Sequence, residues 1–272
     1  MMFYHQIQRP RARGFTLLEL LVSITVSIGL FALLYSILNL ALTRWRNDTS
    51  GYLNNVEAQV ALDSLAEDLR SIVIKQDGSE WLQVQPILVE NLGTLPWLMF
   101  LGRPMSDGSM DSSSPRAISY RLEKRDPFNS NEPFHALYRT VLSAEETIEK
   151  LGSKNLYEEI WRSRELDAVG TDQFLASHVV GLELLFQLRT PDGKPFTLKN
   201  GTGLRISTQI ETIPPSAPIP PDSILESLQI NLTVVDPVGQ EMLSGGGTSL
   251  DEIVTRFGRT QSAFVTFSQP IQ

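Results

Sequence analysis

The first pattern along the chain is an apolar run over residues 15–43 that carries a single charge, Glu19. Residues 1–14 ahead of it are polar and basic, with three arginines and no acidic side chain. About 20 apolar residues span a bilayer, whereas the core of a secretory signal has about 7–15. No small-residue cleavage site follows the run. We therefore predict a retained single-pass membrane helix, the alternative being a buried core helix.

The flanking charges predict the orientation of this helix. Three arginines precede it, whereas Arg44 and Arg46 follow it closely. The resulting positive-inside bias is mild and favours a cytoplasmic N-terminus. The rest of the chain is then expected on the opposite side of the membrane.

The helical period continues beyond the apolar run and becomes amphipathic over residues 44–74. Its apolar stripe consists of Ala58, Ala61, Leu62, Leu65, Leu69 and Ile72. The side opposite the stripe is predicted to hold the acidic residues Glu57, Asp63, Glu67 and Asp68. This spacing predicts one long helix from residue 15 to residue 74, apolar all round in its first half and amphipathic in its second.

Short β-rich runs alternate with turn clusters after residue 74. Strands are predicted over residues 82–89, 95–101, 117–122, 135–142, 179–189, 204–210 and 225–235. Short helices are predicted over residues 144–150, 157–167 and 249–257, and turns over 190–194 and 236–239. This order predicts an α+β fold in which a long N-terminal helix packs on a C-terminal antiparallel β-sheet domain.

Composition excludes several classes of function. The formal net charge of −8 argues against a protein that binds nucleic acid by neutralising phosphates. The absence of cysteine excludes thiol nucleophiles, thiolate zinc sites and disulfides. Only three histidines occur, which nearly excludes a multi-histidine metal centre.

The ten residues from Arg13 to Val22, Arg-Gly-Phe-Thr-Leu-Leu-Glu-Leu-Leu-Val, resemble the processing site of type IV pilins and type II secretion pseudopilins. The resemblance implies a pilin-like fold and cleavage between Gly14 and Phe15 by a prepilin peptidase, which then N-methylates Phe15. Gly14 is expected to be required because the peptidase needs a residue without a side chain before the cut. The basic leader, residues 1–14, would otherwise hold the chain in the membrane.

Glu19 is the predicted assembly residue. A carboxylate inside an apolar span costs about 2.5–3.5 kcal/mol on insertion scales, so a partner is expected, although a residue near the membrane edge can also reach the headgroups. Cleavage creates an α-amino group on Phe15, one helical turn from Glu19, about 6 Å along the axis. In pilin-like filaments the carboxylate is thought to neutralise the amine of a neighbouring subunit, which offsets the cost of burying both charges.

The order of the elements also resembles the J-type minor pseudopilin of type II secretion systems. This resemblance rests on the N-terminal motif, a strand region over residues 174–189 and a proline-led strand over residues 221–235. It implies a leader (1–14), a membrane and assembly helix (15–43), an amphipathic helix (44–74) and a periplasmic β-rich domain (75–272). The implied location is the bacterial inner membrane.

The implied partners are other major and minor pseudopilins or pilins, the prepilin peptidase, the inner-membrane assembly platform and membrane lipid, with no nucleic acid. A minor pilin of a type IV pilus or DNA-uptake apparatus is the close alternative. From a different class, the chain could be a membrane-anchored periplasmic binding or enzymatic module, or a simple tethered protein.

Sites for catalysis or cofactors are weakly indicated. His135 and His178 lie in strand-like or apolar settings and are predicted to be structural. The sequence contains no Gly-x-Ser-x-Gly elbow, and the run Gly245–Thr248 lacks the lysine of a P-loop. We predict no enzyme activity and no cofactor. Calcium is a minor alternative, and its candidate oxygen ligands are Asp126, Asn129, Asn131 and Glu132, or Asp107 and Asp111.

Overall fold

The computed structural model of the chain describes residues 16–75, 77–104, 114–150, 155–162, 172–199, 203–213, 219–220 and 222–271. The predicted leader and the Gly14–Phe15 junction lie outside these residues. The contacts divide the chain into two compact units, one ending at Asp48 and the other beginning at Thr49. Each unit is described by itself below.

The long helix predicted from the sequence is present as α1 (Leu17–Arg70). Its segment Leu17–Trp45 is long and apolar enough to cross a membrane, and its apolar side chains are exposed. Large side chains such as Phe31, 68% exposed, project on every side. Such an all-round apolar surface is stable only in lipid or against other helices. This helix is therefore suited to be a membrane anchor.

The second unit is built mainly from antiparallel strands. The described strands are β1 (Leu82–Val89), β2 (Gly93–Gly102), β3 (Arg116–Arg125), β4 (Phe134–Val141), β5 (Asp172–Ser177), β6 (Val179–Arg189), β7 (Pro195–Lys199), β8 (Gly203–Ile206), β9 (Ile210–Ile213), β10 (Ile224–Val235) and β11 (Gly258–Ile271). The shorter helices are α2 (Ala144–Lys150), a π-helical turn (Tyr157–Trp161), α3 (Pro237–Gly245) and α4 (Leu250–Phe257).

These strands form two sheets. The seven-stranded sheet has the order β5-β4-β3-β2-β1-β8-β9, and the four-stranded sheet has the order β11-β10-β6-β7. Every strand pair in both sheets is antiparallel. The α+β fold predicted from the sequence, with its long pilin-like N-terminal helix, is confirmed.

The amphipathic half of α1 supplies part of the core of the second unit. The stripe residues Ala58, Ala61, Leu62, Leu65 and Leu69 are fully buried. They belong to one cluster with inward-facing residues of both sheets, among them Leu98 and Leu232. The alternation predicted for β10 is confirmed, because its apolar positions are buried and the polar positions between them are half-buried.

Several predicted boundaries were wrong. The helix ends at Arg70, not residue 74, because Ile72 forms a β-bridge with Gly102. The single strand predicted over residues 204–210 is the hairpin β8–β9, turned at residues 207–209. The turn predicted over residues 236–239 begins α3, whose N-cap is Asp236.

The strand region predicted over residues 174–189 consists of two strands in different sheets, β5 and β6. They are separated at His178, which has a positive φ of 53°. Three further strands, β5, β7 and β11, were not delimited by the sequence pattern. Of the helix predicted over residues 157–167, the structure describes the π-helical turn, and residues 163–167 lie outside the described part.

Candidate functional site

The predicted assembly residue Glu19 lies in the first turn of α1, where it forms a capping box with Thr16. Its Oε2 accepts hydrogen bonds from the backbone N–H and the hydroxyl of Thr16, both at 3.1 Å. In return, the hydroxyl oxygen of Thr16 accepts the backbone N–H of Glu19 at 3.3 Å. This reciprocal arrangement satisfies two backbone donors that a helix start otherwise leaves unpaired.

The capping box fixes where the carboxylate points. Glu19 is directed toward the start of the helix, where the macrodipole also favours a negative charge. That end is the one at which cleavage after Gly14 would expose an amine on Phe15. The pairing of Glu19 with an amine stays a prediction, because Gly14 and Phe15 lie outside the described residues.

Sequence reasoning missed the role of Thr16. The signal was present as a threonine followed three residues later by a glutamate, directly before the apolar run. We interpreted Glu19 only as a charged assembly residue and did not recognise that it also caps its own helix.

Replacing Thr16 by valine is expected to loosen this first turn. Valine keeps the side-chain shape but removes the hydroxyl that both donates to and accepts from Glu19. Loss of such a cap destabilises the start of a helix by about 1 kcal/mol, which corresponds to roughly fivefold faster amide exchange. The rate of hydrogen exchange at the Glu19 amide in detergent micelles measures this loosening. Thr16→Ser is the matched control, and equal exchange in the two variants would contradict the assignment.

A buried ion pair attaches the amphipathic half of α1 to the seven-stranded sheet. Arg139 on β4 donates from Nε to Asp68 Oδ2 at 2.7 Å and from Nη2 to Asp68 Oδ1 at 3.0 Å. The hydroxyl of Tyr120 on β3 donates to Asp68 Oδ2 at 2.6 Å. Asp68 and Arg139 are only 3% and 5% exposed. The prediction that Asp68 lies on the polar side opposite the apolar stripe was therefore wrong, because its carboxylate is buried against the sheet.

The pKa values around this pair follow from its burial. Burial and the adjacent negative charge of Asp68 raise the pKa of Tyr120 well above its ordinary value. Burial alone would lower the pKa of Arg139, but its hydrogen bonds to Asp68 raise it. Tyr120 therefore stays a neutral phenol across the physiological range, and its hydroxyl donates to Asp68 as part of the attachment of α1 to the sheet.

A second polar cluster attaches α1 where the two sheets are joined. Glu57 accepts hydrogen bonds from the backbone N–H and hydroxyl of Ser177, at 2.9 and 2.6 Å. Asn54 donates to the carbonyl of Val235 at 3.1 Å and lies 3.3 Å from Nδ1 of His178. Glu57 is thus half-buried and bonded, which corrects its predicted place on the polar side opposite the stripe.

Both described histidines have structural contacts. Nε2 of His135 bonds the carbonyl of Glu90 at 2.8 Å, so that nitrogen carries the proton. Its Nδ1 is buried and has no partner among the described residues. The ring of His178 stacks on Phe134 with centroids 5.2 Å apart. Burial lowers the pKa of both imidazoles.

Stability is expected to fall as the pH drops below about 6.5, where the unfolded histidines gain a proton. The lowered pKa of His135 keeps the folded ring neutral, so the unfolded state binds more protons between that pKa and 6.5. Its contribution is therefore complete above this window and is lost as the pH falls through it. Thermal unfolding of the full chain in micelles at pH 7.5 and pH 5.5 measures the loss.

The variant His135→Gln isolates this effect, because glutamine can still donate to the carbonyl of Glu90 but does not titrate. It should show a smaller loss of stability than the wild type between the two pH values. Burial raises the pKa of Glu80 and Glu123, whose titration acts in the opposite sense in both proteins. If the stability of the variant and that of the wild type fall equally with pH, His135 does not contribute to the pH dependence.

In the loop considered as a calcium site, the carboxylate of Asp126 is hydrogen-bonded within the loop itself. The carboxylate of Asp126 accepts the backbone N–H groups of Phe128 at 3.2 Å, Ser130 at 3.0 Å and Asn131 at 2.6 Å. The bond from Ser130 contributes most to lowering the pKa of Asp126. Within the described residues no group of three His, Cys, Asp or Glu side chains is arranged to hold a metal ion. Asp107 and Asp111 lie outside them.

The glycine-rich run lies at the end of α3. Gly245 is the last residue of α3, and Gly246 caps it with a left-handed φ of 70°. The next helix, α4, is capped by Ser249, whose hydroxyl accepts the N–H of Glu252. The run therefore supplies the left-handed residue that ends α3.

Comparison with known proteins finds the same segment that carries the capping box. Residues 9–34 match the family model described as the prokaryotic N-terminal methylation motif. No curated protein and no solved structure matches the chain significantly. The match covers residues 9–34 and does not extend to the β-rich unit.

The fold and this motif define the class of protein. A methylation motif leads into an apolar helix whose amphipathic continuation packs against antiparallel sheets. The motif indicates a type IV pilin-like or pseudopilin substrate of prepilin peptidase. A substrate of this class interacts in general with the peptidase and with other pilin-like subunits.

Proposed function

We propose that the chain is a minor pseudopilin of a type II secretion system, of the J type, assembled at the tip of a periplasmic pseudopilus. It would be anchored in the bacterial inner membrane with a cytoplasmic N-terminus and a periplasmic β-rich domain. It would perform no catalysis and bind no cofactor. Its function would consist of contacts with sibling subunits and the assembly platform.

The observation that carries this proposal is the position of Glu19 in the first turn of a 29-residue apolar helix, within the methylation motif. A carboxylate there is costly in lipid unless it has a partner. Its capping bonds with Thr16 direct it to the helix end that processing would make positive. Processing would therefore create the partner that this residue requires for assembly.

A minor rather than a major subunit is supported by the size and irregularity of the second unit. It contains two sheets and a π-helical turn, and the loop 126–133 joins β3 to β4. A subunit that repeats many times along a filament is usually more compact. A minor pilin of a type IV pilus or of a DNA-uptake apparatus fits the same features and is the second candidate.

The proposal is tested on protein isolated from its native host. Intact mass and N-terminal sequencing should show a chain that starts at N-methylated Phe15. Crosslinking in intact cells, followed by identification of the partners, should then recover secretion pseudopilins. Recovery of pilus subunits would instead select the second candidate, and an uncut chain without pilin-like partners would refute both.

A further inference from the structure

β11 forms one edge of the four-stranded sheet, and among the described strands it pairs with β10 alone. The register of this pairing is continuous over residues 258–266. Directly before them, the backbone N–H of Asp236 donates to the opposing carbonyl of Phe257 at 3.3 Å, so this pair is hydrogen-bonded. Hydrogen-bonded pairs alternate with pairs that are not. The even-numbered residues of 258–266 therefore direct their backbone N–H and C=O groups away from β10.

The outward residues of β11 are accessible to solvent. In agreement with their direction, the carbonyl of Phe264 accepts a hydrogen bond from Nη2 of Arg70, in the last turn of α1, at 3.5 Å. Phe264 is 59% exposed, whereas its neighbour Val265 points inward and is fully buried. The outward residues that share this exposure, and that we call the outer edge, are Thr260, Ser262, Phe264 and Thr266.

The other three edges of the described sheets have features that oppose the addition of a strand. β7 begins at Pro195 and ends at Lys199, and β9 has only four residues. At the end of β5, the backbone N–H of Ser177 is bonded to Glu57. Proline, lysine and short length are means by which edge strands avoid pairing with other chains. Residues 260–267 of β11, by contrast, include neither a charged residue nor a proline.

A strand added at the outer edge would also lie beside α1. Gln261, an inward residue of β11, donates from Nε2 to the carbonyl of Asn55 at 2.8 Å, which places this part of α1 next to β11. Tyr52 lies one helical turn before Asn55, and Val56 lies one turn after Tyr52. The side chains of Tyr52 and Val56 are 68% and 42% exposed. Inward side chains of an added strand would therefore meet an apolar surface of α1.

Positive charges stand near the two ends of this neutral edge. Arg259 is exposed at the start of β11, and Arg70 reaches Phe264, which lies about 17 Å further along the strand. Neither guanidinium has a carboxylate partner among the described residues. The edge is therefore complementary to an extended chain that is uncharged in its middle and carries a carboxylate near each end.

We propose that the outer edge of β11 binds an extended segment of a partner polypeptide, acidic at its ends, as an antiparallel strand. Strand addition supplies backbone hydrogen bonds, and alternate side chains fill adjacent surfaces. Residues of the segment opposite Ser262 and Phe264 exchange the hydrogen bonds and keep their side chains on the solvent side, because opposed residues share a face. The residues between them contact Tyr52 and Val56. The site is separate from the N-terminal motif and goes beyond the function proposed above.

The probe is the fluorescein-labelled peptide Glu-Val-Thr-Val-Thr-Val-Thr-Glu, titrated into the full chain in detergent micelles. Fluorescence polarisation should show saturable binding, with the valines against α1 and the threonine amides facing β11. N-methylation of the threonine amides should weaken binding at least about tenfold, whereas N-methylation of the valine amides should change it less than about threefold. The two methylated peptides have the same composition, so adsorption to micelles would affect both equally. Lysine in place of both glutamates should weaken binding about threefold or more.

Ser262 provides matched variants of the protein. Its N–H points away from β10, so proline at this position removes an outward donor and leaves the pairing with β10 in place. Ser262→Pro should weaken peptide binding at least about tenfold. Ser262→Ala loses the same side-chain hydrogen bond to Asn231, at 2.7 Å, but keeps the N–H, and it should bind like the wild type.

A measurement on the wild type makes the test independent of how the variants fold. Saturating peptide should slow hydrogen exchange of the Ser262 and Phe264 amides at least about tenfold and leave that of Ala263, which faces β10, unchanged.

Several results would overturn the proposal. They are no saturable binding up to about 1 mM, equal binding of the two methylated peptides, undiminished binding by a folded Ser262→Pro protein, and an unprotected Ser262 amide at saturation. Equal binding of the lysine-ended peptide would overturn the acidic ends of the segment. A full chain that dimerises without peptide, and that Ser262→Pro returns to monomers, would replace the partner by a second copy. None of these results would bear on N-terminal processing.

Discussion

Replacing Gly14 by lysine is expected to leave the chain uncut and held in the membrane. The resemblance of the N-terminal motif implies a peptidase that accepts only a residue without a side chain before the cut. Lysine adds both bulk and charge at that position. Immunoblotting of membranes, with intact mass measurement, should show loss of at least about 90% of the processed form, a barrier increase of about 1.4 kcal/mol or more.

A second glycine provides the control for this variant. Gly29 lies within the apolar helix, and a Cβ added there meets nothing within 4 Å. Gly29→Ala should therefore be processed like the wild type. Normal cleavage of Gly14→Lys would remove the basis for the processing site, and a defect in Gly29→Ala would show that insertion of the helix is being measured.

Replacing Arg139 by methionine is expected to destabilise the β-rich unit by about 3–5 kcal/mol, because Asp68 would remain as a buried charge without its partner. Chemical denaturation of the full chain in micelles measures this loss. Fluorescence is a suitable signal, since Trp81, Trp97 and Trp161 are fully buried in this unit. A comparable loss is expected for Asp68→Asn, which removes the opposite charge.

Two controls separate the buried pair from general effects of charge. Arg256→Met breaks the exposed pair with Glu252 on α4 and should cost less than about 1 kcal/mol. The double variant Asp68→Leu with Arg139→Met removes both buried charges and should be more stable than Arg139→Met alone. A double variant that is as unstable as the sum of its parts would show that the two residues act separately.

The long helix and the strongest strands could be predicted because their patterns are local. The stripe from Ala58 to Leu69 and the alternation of β10 each follow one period over many residues. β11 was missed because, over residues 258–267, where burial is described, Val265 is the one fully buried residue, and Ala263 and Phe267 are half-buried. An edge strand with such weak alternation depends on its partner, β10, for its definition.

Other predictions were wrong because a residue pattern was interpreted without its surroundings in the fold. Asp236-Pro237 was interpreted as a turn, yet aspartate before proline is also an N-cap followed by the first helical residue, and the structure uses it so. Asp68 was placed on the polar side opposite the stripe because its partner Arg139 is 71 residues away and no local pattern connects them. Charge alone does not reveal a buried pair.

The candidate sites also differ in whether their residues are close together in the sequence. The methylation motif is contiguous and could be recognised from ten residues. The polar cluster of Asn54, Glu57 and Ser177 could not, because α1 and the end of β5 are about 120 residues apart in the sequence and only the fold brings them together.

The junction at His178 has a mechanical consequence. β5 belongs to the seven-stranded sheet and β6 to the four-stranded sheet, and this one left-handed residue connects them. Its carbonyl also accepts the N–H of Val235 at the end of β10. Because one residue joins the two strands and also bonds β10, the adjoining ends of the two sheets are held together at this corner and cannot hinge freely about it.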